Sequence, residues 1–578
     1  LAAPARRRWR PGRIAVAAVA TLCLAAAGLA ARRAVPATAA SAADRVIVFP
    51  FENAAGIEDR AGTGRLAAEA VVQALGRTGA ANVLPLVPDG TPATNDRVRS
   101  IAEASGAAYA VLGAWRTESD SMVLSARVLD VRTGVTRAAG RDVSGLAQRP
   151  GSAIEPLADA VAGAIAALLD RRIAAAARAG SLPPSHAAYR RFSEGLDHLY
   201  AREGERANAA FFAAYREDST YRLPLVYAAF SHLGQGALSV VDSIAAVLEA
   251  QRAALTPYEQ ATLDFLRVET RADLAARYAT ARRAAELAPG SMMAGYYFPR
   301  AAIGLNRPRE AIAALDAVDP ERDEIAGMPG YWSMLSMALH MAGEYDRQLD
   351  MGRSVESRFP KDTRGLNYQV RALAALGRTD SLDAILSRSF LVARASGWDA
   401  VGLSLHMLAF DELRAHGHDA PAGRLLERAV AYYEAAPDSL RTVPRQRLEM
   451  ARALLRLGRL ADARRVAEEL TRERGLSREV LIAAHSAIGV AAAAAGDSAG
   501  AAAEDAWLAG ASSRFTFGTQ TAARARIAAV LGRREEAVRL LHQSVVEGHP
   551  YDNNKHLDFE LQRLRGYPPF EEWLKPKG

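Results

Sequence analysis

Two groups of histidines are the residues best suited to chemistry. His416-Gly417-His418 is the closest approach to a paired metal-ligand set, and His549 and His556 stand near Asp552 and Asp558. The first pair flanks a turn between two expected helices, so a solvated turn is the preferred reading. The second group reads as a structural polar cluster near the C-terminus. No His-Glu-x-x-His zinc motif occurs, nor the His-Arg-Asp and Asp-Phe-Gly of a kinase, nor a Gly-x-Ser-x-Gly elbow. The only lysines are Lys361, Lys555, Lys575 and Lys577, and none follows a phosphate-binding glycine loop. Gly62-Thr63-Gly64 lies too far beyond the first expected strand for a dinucleotide fingerprint and reads as a helix entry. The aromatic groups Tyr296-Tyr297-Phe298 and Tyr331-Trp332 could form a peptide-binding surface, with core packing preferred. The sequence therefore assigns no catalytic, cofactor-binding or metal-binding residue and implies no cofactor. It predicts a non-enzyme.

The net charge of +7 invites a nucleic-acid reading until the charge is located. Residues 1–43 carry seven arginines (Arg6, Arg7, Arg8, Arg10, Arg13, Arg32, Arg33) and no acid, which equals the whole excess. A body with balanced, interspersed charges offers no global phosphate-binding field. Residues 14–31 form an 18-residue run without a charge, with five arginines before it and two after. That length is near the lower limit of a membrane-spanning helix. The positive-inside rule places residue 1 in the cytoplasm and the body outside. The alternative is a cleaved signal peptide, with Ala37-Thr38-Ala39 as the small-x-small site, and it exports the body too. Cys23, the single cysteine, excludes disulfides within one chain. Leu22 before it disfavours a lipidated cysteine. Because the first residue is Leu, a cytoplasmic domain upstream is also expected as a possibility.

After a linker at 37–43, residues 44–172 alternate strand and helix signals. Val46 to Phe51 reads as a buried strand, 62–77 as a helix, 83–86 as a strand and 97–105 as a helix. Strands follow at 109–115 and 122–131, a hairpin turn at 130–134 and a closing amphipathic helix at 154–169. The strings VIVFPFEN, GAAYAVLGAW and VLSARVLDVRTG resemble the domain similar to the N-terminal domain of the periplasmic protein TolB. The loop at 54–59 departs from that pattern. The resemblance implies an extracytoplasmic, non-enzymatic α/β domain and brings no catalytic residues.

Beyond a linker at 173–188, residues 189–548 read as helix pairs. A turn residue is followed five positions later by alanine in six pairs: Gly204/Ala209, Asn306/Ala311, Gly417/Ala422, Gly458/Ala463, Gly496/Ala501 and Gly532/Ala537. Gly343 and Gly377 keep the turn without the alanine, and weaker equivalents fall at Leu238 and Ala272. The spacing starts at 34 residues, the period of a tetratricopeptide helix-turn-helix. Glycine permits the tight turn, alanine the close approach of the second helix. Ala463, Val466, Ala467 and Leu470 form the expected apolar stripe. Pro289 and Pro360 close repeats. The region resembles tetratricopeptide solenoids joined to TolB-like domains in bacterial transmembrane signalling proteins, where the cytoplasmic part is a serine/threonine kinase or a winged-helix activator. Residues 549–578 resemble the capping end of such arrays.

The fold class expected is thus mainly α: an α-α superhelix, preceded by a small α/β domain and one N-terminal membrane helix. The function expected is a non-catalytic, membrane-anchored interaction or sensing module in the bacterial inner membrane, with its body in the periplasm. Its partner would be a protein or peptide in the solenoid groove, with the membrane engaged through 14–31 and no nucleic acid bound. The alternatives are the C-terminal part of a transmembrane kinase or transcription activator, and an exported envelope scaffold.

Overall fold

The computed structural model describes residues 44–54, 62–84, 95–139, 141–325, 327–360, 362–396, 400–436 and 441–578. The segment 14–31 lies outside these residues, as does most of the loop at 54–59. Among the described residues one helix, Gly151–Leu169, is long and apolar enough to cross a membrane, but 72% of its apolar window is buried inside the protein. The chain divides into two compact units, Asp44 to Leu169 with Pro183–His186, and Asp170–Leu182 with Ala187–Gly578.

The first unit is a single mixed sheet flanked by helices. Its elements are β1 (Arg45–Val48), β2 (Glu52–Asn53), α1 (Thr63–Thr78), β3 (Asn82–Leu84), α2 (Asn95–Ala104), β4 (Tyr109–Glu118), β5 (Ser121–Asp130), β6 (Thr136–Ala138), β7 (Val143–Leu146) and α3 (Gly151–Leu169). The strand order is β3-β1-β4-β5-β6, with β2 also on β4 and β7 also on β5. β1 runs parallel to β3 and β4, because α1 and α2 supply the crossovers; β4 and β5 form a ten-residue antiparallel ribbon. Ile47, Phe49, Ala110, Leu112 and Leu129 pack with Val98 and Ala102 of α2. Alternation sends Val46, Val48 and Val111, all fully buried, to the other face. Proline at position 50 interrupts the expected 46–51 strand into β1 and β2. Phe51 then lies over Gly113, where a Cβ would come within 2.2 Å of its ring.

The second unit is a series of antiparallel helix hairpins. Hairpins 1 to 3 are His186–Tyr200 with Gly204–Glu217, Leu223–Gly234 with Leu238–Glu249, and Pro257–Glu269 with Leu274–Leu287. Hairpin 4 begins with a π turn, Met293–Tyr297, continues as Phe298–Gly304 and returns as Pro308–Asp316. Hairpins 5 to 7 are Pro329–Met341 with Tyr345–Arg358, Arg364–Ala375 with Thr379–Ser396, and Ala400–Ala415 with Asp419–Glu434. Hairpins 8 to 10 are Pro444–Arg456 with Leu460–Thr471, Arg478–Ala494 with Ser498–Gly510, and Thr519–Val530 with Arg534–Val546. From hairpin 2 onward the first helix of each hairpin packs on its own partner, and from hairpin 4 to hairpin 9 on the first helix of the next hairpin. This is the tetratricopeptide-like arrangement of a helical-repeat array. The interval 173–188 contains a short helix, Ala174–Arg178, whose alanines are buried.

The turn chemistry explains the period. Gly343, Gly377, Gly417, Gly458, Gly496 and Gly532 all sit between paired helices with φ between 67 and 80°. This left-handed region carries little penalty for glycine. Hairpin 4 uses Asn306 there, with φ 60°. Five residues on, Ala311, Ala463, Ala501 and Ala537 are each 0% exposed. The first repeat differs from the expected register. Its left-handed residue is Arg202, two positions before Gly204, and the buried alanine is Ala207 while Ala209 is exposed. Hairpin 2 shifts likewise, turning at Gly236 rather than Leu238. The helices there end earlier, and a glycine at the first helical position mimics the turn signal.

Ala463 is fully buried in one apolar cluster with Ala451, Leu454 and Leu455 of the first helix of its hairpin, whereas Arg464 is 43% exposed beside Glu468 and Asp497. Ala463→Leu is expected to cost about 1–3 kcal/mol by overpacking. Arg464→Leu is expected to stay within about 0.5 kcal/mol. Urea unfolding of both variants checks the ranking.

Candidate functional site: the inner face of the array

The first helices of the hairpins share one face, and the last thirty residues run back along it. Tyr551 N donates to Gly304 O of hairpin 4 at 3.0 Å, and Lys577 N donates to Asn306 O at 2.7 Å. The Asn306 amide returns hydrogen bonds to Leu574 O and Lys575 O at 3.3 and 3.0 Å. Arg371 of hairpin 6 donates to Asn553 O and Asn554 Oδ1 at 3.2 and 3.0 Å. Phe559 lies 5.7 Å from Phe410 of hairpin 7, with the guanidinium of Arg456 of hairpin 8 5.6 Å from its ring centre. Tyr551, Leu561, Leu564, Phe570, Trp573 and Leu574 also form one apolar cluster with Ala525 and Ala528 of hairpin 10. The segment therefore covers the last hairpin, as a cap does, and additionally occupies part of the inner face. Only this second role escapes a reading by repeat period, because the contacts join residues far apart in the chain, such as Asn306 and Lys575 at 269 positions.

Where the segment crosses hairpins 7, 8 and 10, charged groups are buried together. Asp411 accepts two hydrogen bonds from Arg456, both 2.8 Å, with each side chain nearly inaccessible. Arg526 donates to Asp558 at 2.8 Å. Burial and the adjacent Asp558 push the Glu560 carboxyl up to about 7. Burial alone would raise Asp558, but Arg526 holds it below the usual carboxylate range. A folded pKa above the unfolded value stabilises the fold at low pH, and this contribution is lost as pH rises from about 4.3 through the folded value. Glu560→Gln, which keeps the neutral form's shape, is therefore expected to be more stable than the parent at pH 8 and not at pH 4. Urea midpoints at the two pH values check this; an equal difference at both would contradict it.

Two further parts of the inner face are hollow. A cavity of about 530 Å³ is lined by Tyr296, Tyr297, Arg300, Phe515, Phe517 and Glu269, among others. Tyr296 and Tyr297 reach it from the π turn, a distortion that re-aims side chains and recurs at functional sites. Glu269 is buried and bridges Arg277 at 2.9 Å and Arg300 at 2.6 Å, leaving an excess positive charge in an aromatic pocket. The loop carrying Phe515 and Phe517 is tied across the array by an Arg514–Asp242 ion pair. Tyr331, in contrast, is core, its hydroxyl donating to Leu315 O at 3.3 Å.

A second cavity, about 740 Å³, is lined by His340, Tyr345, His416, Tyr551, His556 and Arg565, among others. Here two residues singled out in the sequence meet, His416 and His556, joined by His340 and Glu412, which sequence reading passed over. His340 and Glu412 are fully buried. The Glu412 carboxylate lies 3.0 Å from Arg371 and 3.1 Å from His340 Nε2. Burial pushes the His556 imidazole down to about 3. Burial would raise Glu412, but His340 and Arg371 hold it well below the usual range. The other singled-out histidines lie elsewhere: His418 packs over Gly377, and His549 faces Lys555 Nζ at 2.7 Å.

No family model matches the chain, and no curated protein matches it. Among solved structures it is similar to the APC/C hetero-tetramer Cut9–Hcn1, at 14% identity over 70% of this chain and 83% of that one, with a TM-score of 0.22. It is also similar to the TPR domain of P58(IPK), at 12% identity over 66% of this chain and 98% of that one, with a TM-score of 0.17. Scores this low add nothing to the assignment of helical repeats, which rests on the hairpins themselves.

Proposed function

We propose that the chain is a non-catalytic interaction module, anchored in a membrane by residues 14–31 with its body outside the cytoplasm, serving a signalling or regulatory protein. The observation that carries the interaction reading is the inner cavity of about 530 Å³, where Tyr296, Tyr297, Phe515 and Phe517 offer apolar faces around Arg300. Such a pocket suits a short peptide segment with an apolar side chain and an acidic group: aromatic faces supply contact area, and the guanidinium a charge-assisted hydrogen bond. Support for the anchoring comes from the charge-free run and its five-to-two arginine asymmetry.

The test places a photo-crosslinking residue at Phe517, inside the cavity, and at Val247, which is 45% exposed on a second helix. In the native host, the first site is expected to capture one defined partner through a mappable peptide and the second to capture none. Equal capture at both sites, or none at either, would overturn the interaction reading. A periplasm-dependent reporter fused after Gly578 tests the topology: activity only from a cytoplasmic reporter would overturn it.

A further inference from the structure

His340, Glu412, His416 and His556 come from three separate parts of the chain. His340 is on the first helix of hairpin 5. Glu412 is on the first helix of hairpin 7, with His416 one turn later at its end. His556 belongs to the C-terminal segment. One ligand atom from each lies within 4.8 Å of all the others. His340 Nε2 is 3.1 Å from His556 Nε2 and 3.1 Å from Glu412 Oε1. His416 Nε2 and His556 Nε2 are 3.6 and 3.9 Å from Glu412 Oε2. Zinc–nitrogen bonds of about 2.0–2.1 Å at tetrahedral angles place neighbouring donor atoms about 3.3 Å apart. The observed separations bracket that value.

Hydrogen bonding inside the protein does not account for this grouping. Both Glu412 oxygens and His416 Nε2 are buried without a hydrogen bond of normal geometry. A buried carboxylate in that state is costly. Arg371 Nη1 balances its charge at 3.0 Å, while two other hydrogens of that guanidinium go to Asn553 and Asn554, so neither Glu412 oxygen has a well-aligned donor of its own. The ring of His340 is also set from behind. Gln348 Nε2 donates to Ser336 Oγ at 2.9 Å, which turns Gln348 Oε1 toward His340 Nδ1 at 3.0 Å. In its neutral form His340 therefore carries the hydrogen on Nδ1, which leaves the Nε2 lone pair for an ion in the cluster. Outer partners fix metal-ligating imidazoles in this way.

The geometry points to a metal site: His340, Glu412, His416 and His556 bind one divalent transition-metal ion, zinc by the chemistry of three imidazoles and a carboxylate, and the ion pins the C-terminal segment to hairpins 5 and 7. Three neutral imidazoles and one anionic oxygen satisfy a four-coordinate ion, and this donor set disfavours magnesium and calcium, which take oxygen ligands. The neighbouring cavity gives the ion a way in past His416 and His556, which are 22% and 20% exposed. This inference is independent of the interaction reading.

The test uses the untagged full chain, stripped with a chelator and titrated with Zn²⁺ against a chromophoric competitor. One equivalent is expected to bind. Gln348→Ala is expected to weaken binding roughly 10–100-fold. His340→Ala and His556→Ala are expected to weaken it further still, and His485→Ala, which lies outside the site, to leave it unchanged. Circular dichroism reports whether each variant is folded. Should a ligand variant fail to fold, Co²⁺ bound to the parent chain decides: intense visible bands of a four-coordinate centre support the site, and the weak spectrum of a six-coordinate ion overturns it. Absence of Zn²⁺ binding by the parent chain, or undiminished binding by folded His340→Ala and His556→Ala, also overturns it.

Discussion

Arg456→Ala is expected to lower the unfolding free energy of the helical array by about 3–5 kcal/mol. The guanidinium holds both oxygens of Asp411 at 2.8 Å, with only 10% of its own side chain and 9% of the aspartate exposed. Truncation leaves that carboxylate buried beside Asp558 and Glu560, with one fewer cation to balance the three acids. The same side chain lies over the Phe559 ring, so one change loosens hairpin 8 and the C-terminal segment together. Asp411→Asn combined with Arg456→Ala should cost clearly less than the sum of the single changes, because the stranded charge is gone. Urea unfolding of the full chain, followed by pulse proteolysis, measures both. A loss below about 1 kcal/mol for Arg456→Ala, the range of exposed ion pairs, would mean the pair is not buried.

The larger effect is expected from ending the chain after Gly548. Tyr551, Leu561, Leu564, Phe570, Trp573 and Leu574 are buried against hairpin 10, and Leu557 is buried as well. At about 1.5–3 kcal/mol for each large apolar side chain, the loss is on the order of 10 kcal/mol, comparable to the whole stability of a typical domain. Because repeat arrays are held by neighbour contacts, damage should start at hairpin 10 and at the inner faces of hairpins 4 to 8. Limited proteolysis should cut there first, while the α/β unit stays intact. A truncated chain with unchanged cleavage and an unfolding midpoint within a few degrees of the parent would contradict this.

Local features were legible in the sequence to the extent that they depend on neighbours in the chain. Gly343 through Gly532 announce their turns because the left-handed backbone there favours glycine, and the buried alanines follow from helix spacing. Thr256 and Glu259 close a capping box with hydrogen bonds of 3.2 and 2.9 Å, a local device that the turn spacing alone does not reveal. The register failed where the turn residue is Arg202, since nothing in an arginine signals positive φ. The histidine cluster was illegible for a different reason. His340 and His556 are 216 residues apart, and no short motif spans a contact made by chain reversal along the inner face. His416 flanks a turn, as its neighbour Gly417 implies, and its helix ends there; its partners come from elsewhere. The one local hint was Glu412 four residues before His416, a helical spacing that puts both on one face.

Hydrogen exchange of the full chain, read by mass spectrometry, tests the central claim most directly: that a tetratricopeptide-like array carries its own C-terminal segment on its inner face. Peptides covering 549–577 are expected to exchange as slowly as the first helices of hairpins 5 and 7, with Tyr551 N and Lys577 N held by Gly304 O and Asn306 O. Arg371→Ala should speed exchange around Asn553 and Asn554, its hydrogen-bond partners, and leave hairpins 1 and 2 unchanged. Exchange of 549–577 at the rate of an unfolded chain, while the hairpins remain protected, would contradict the account.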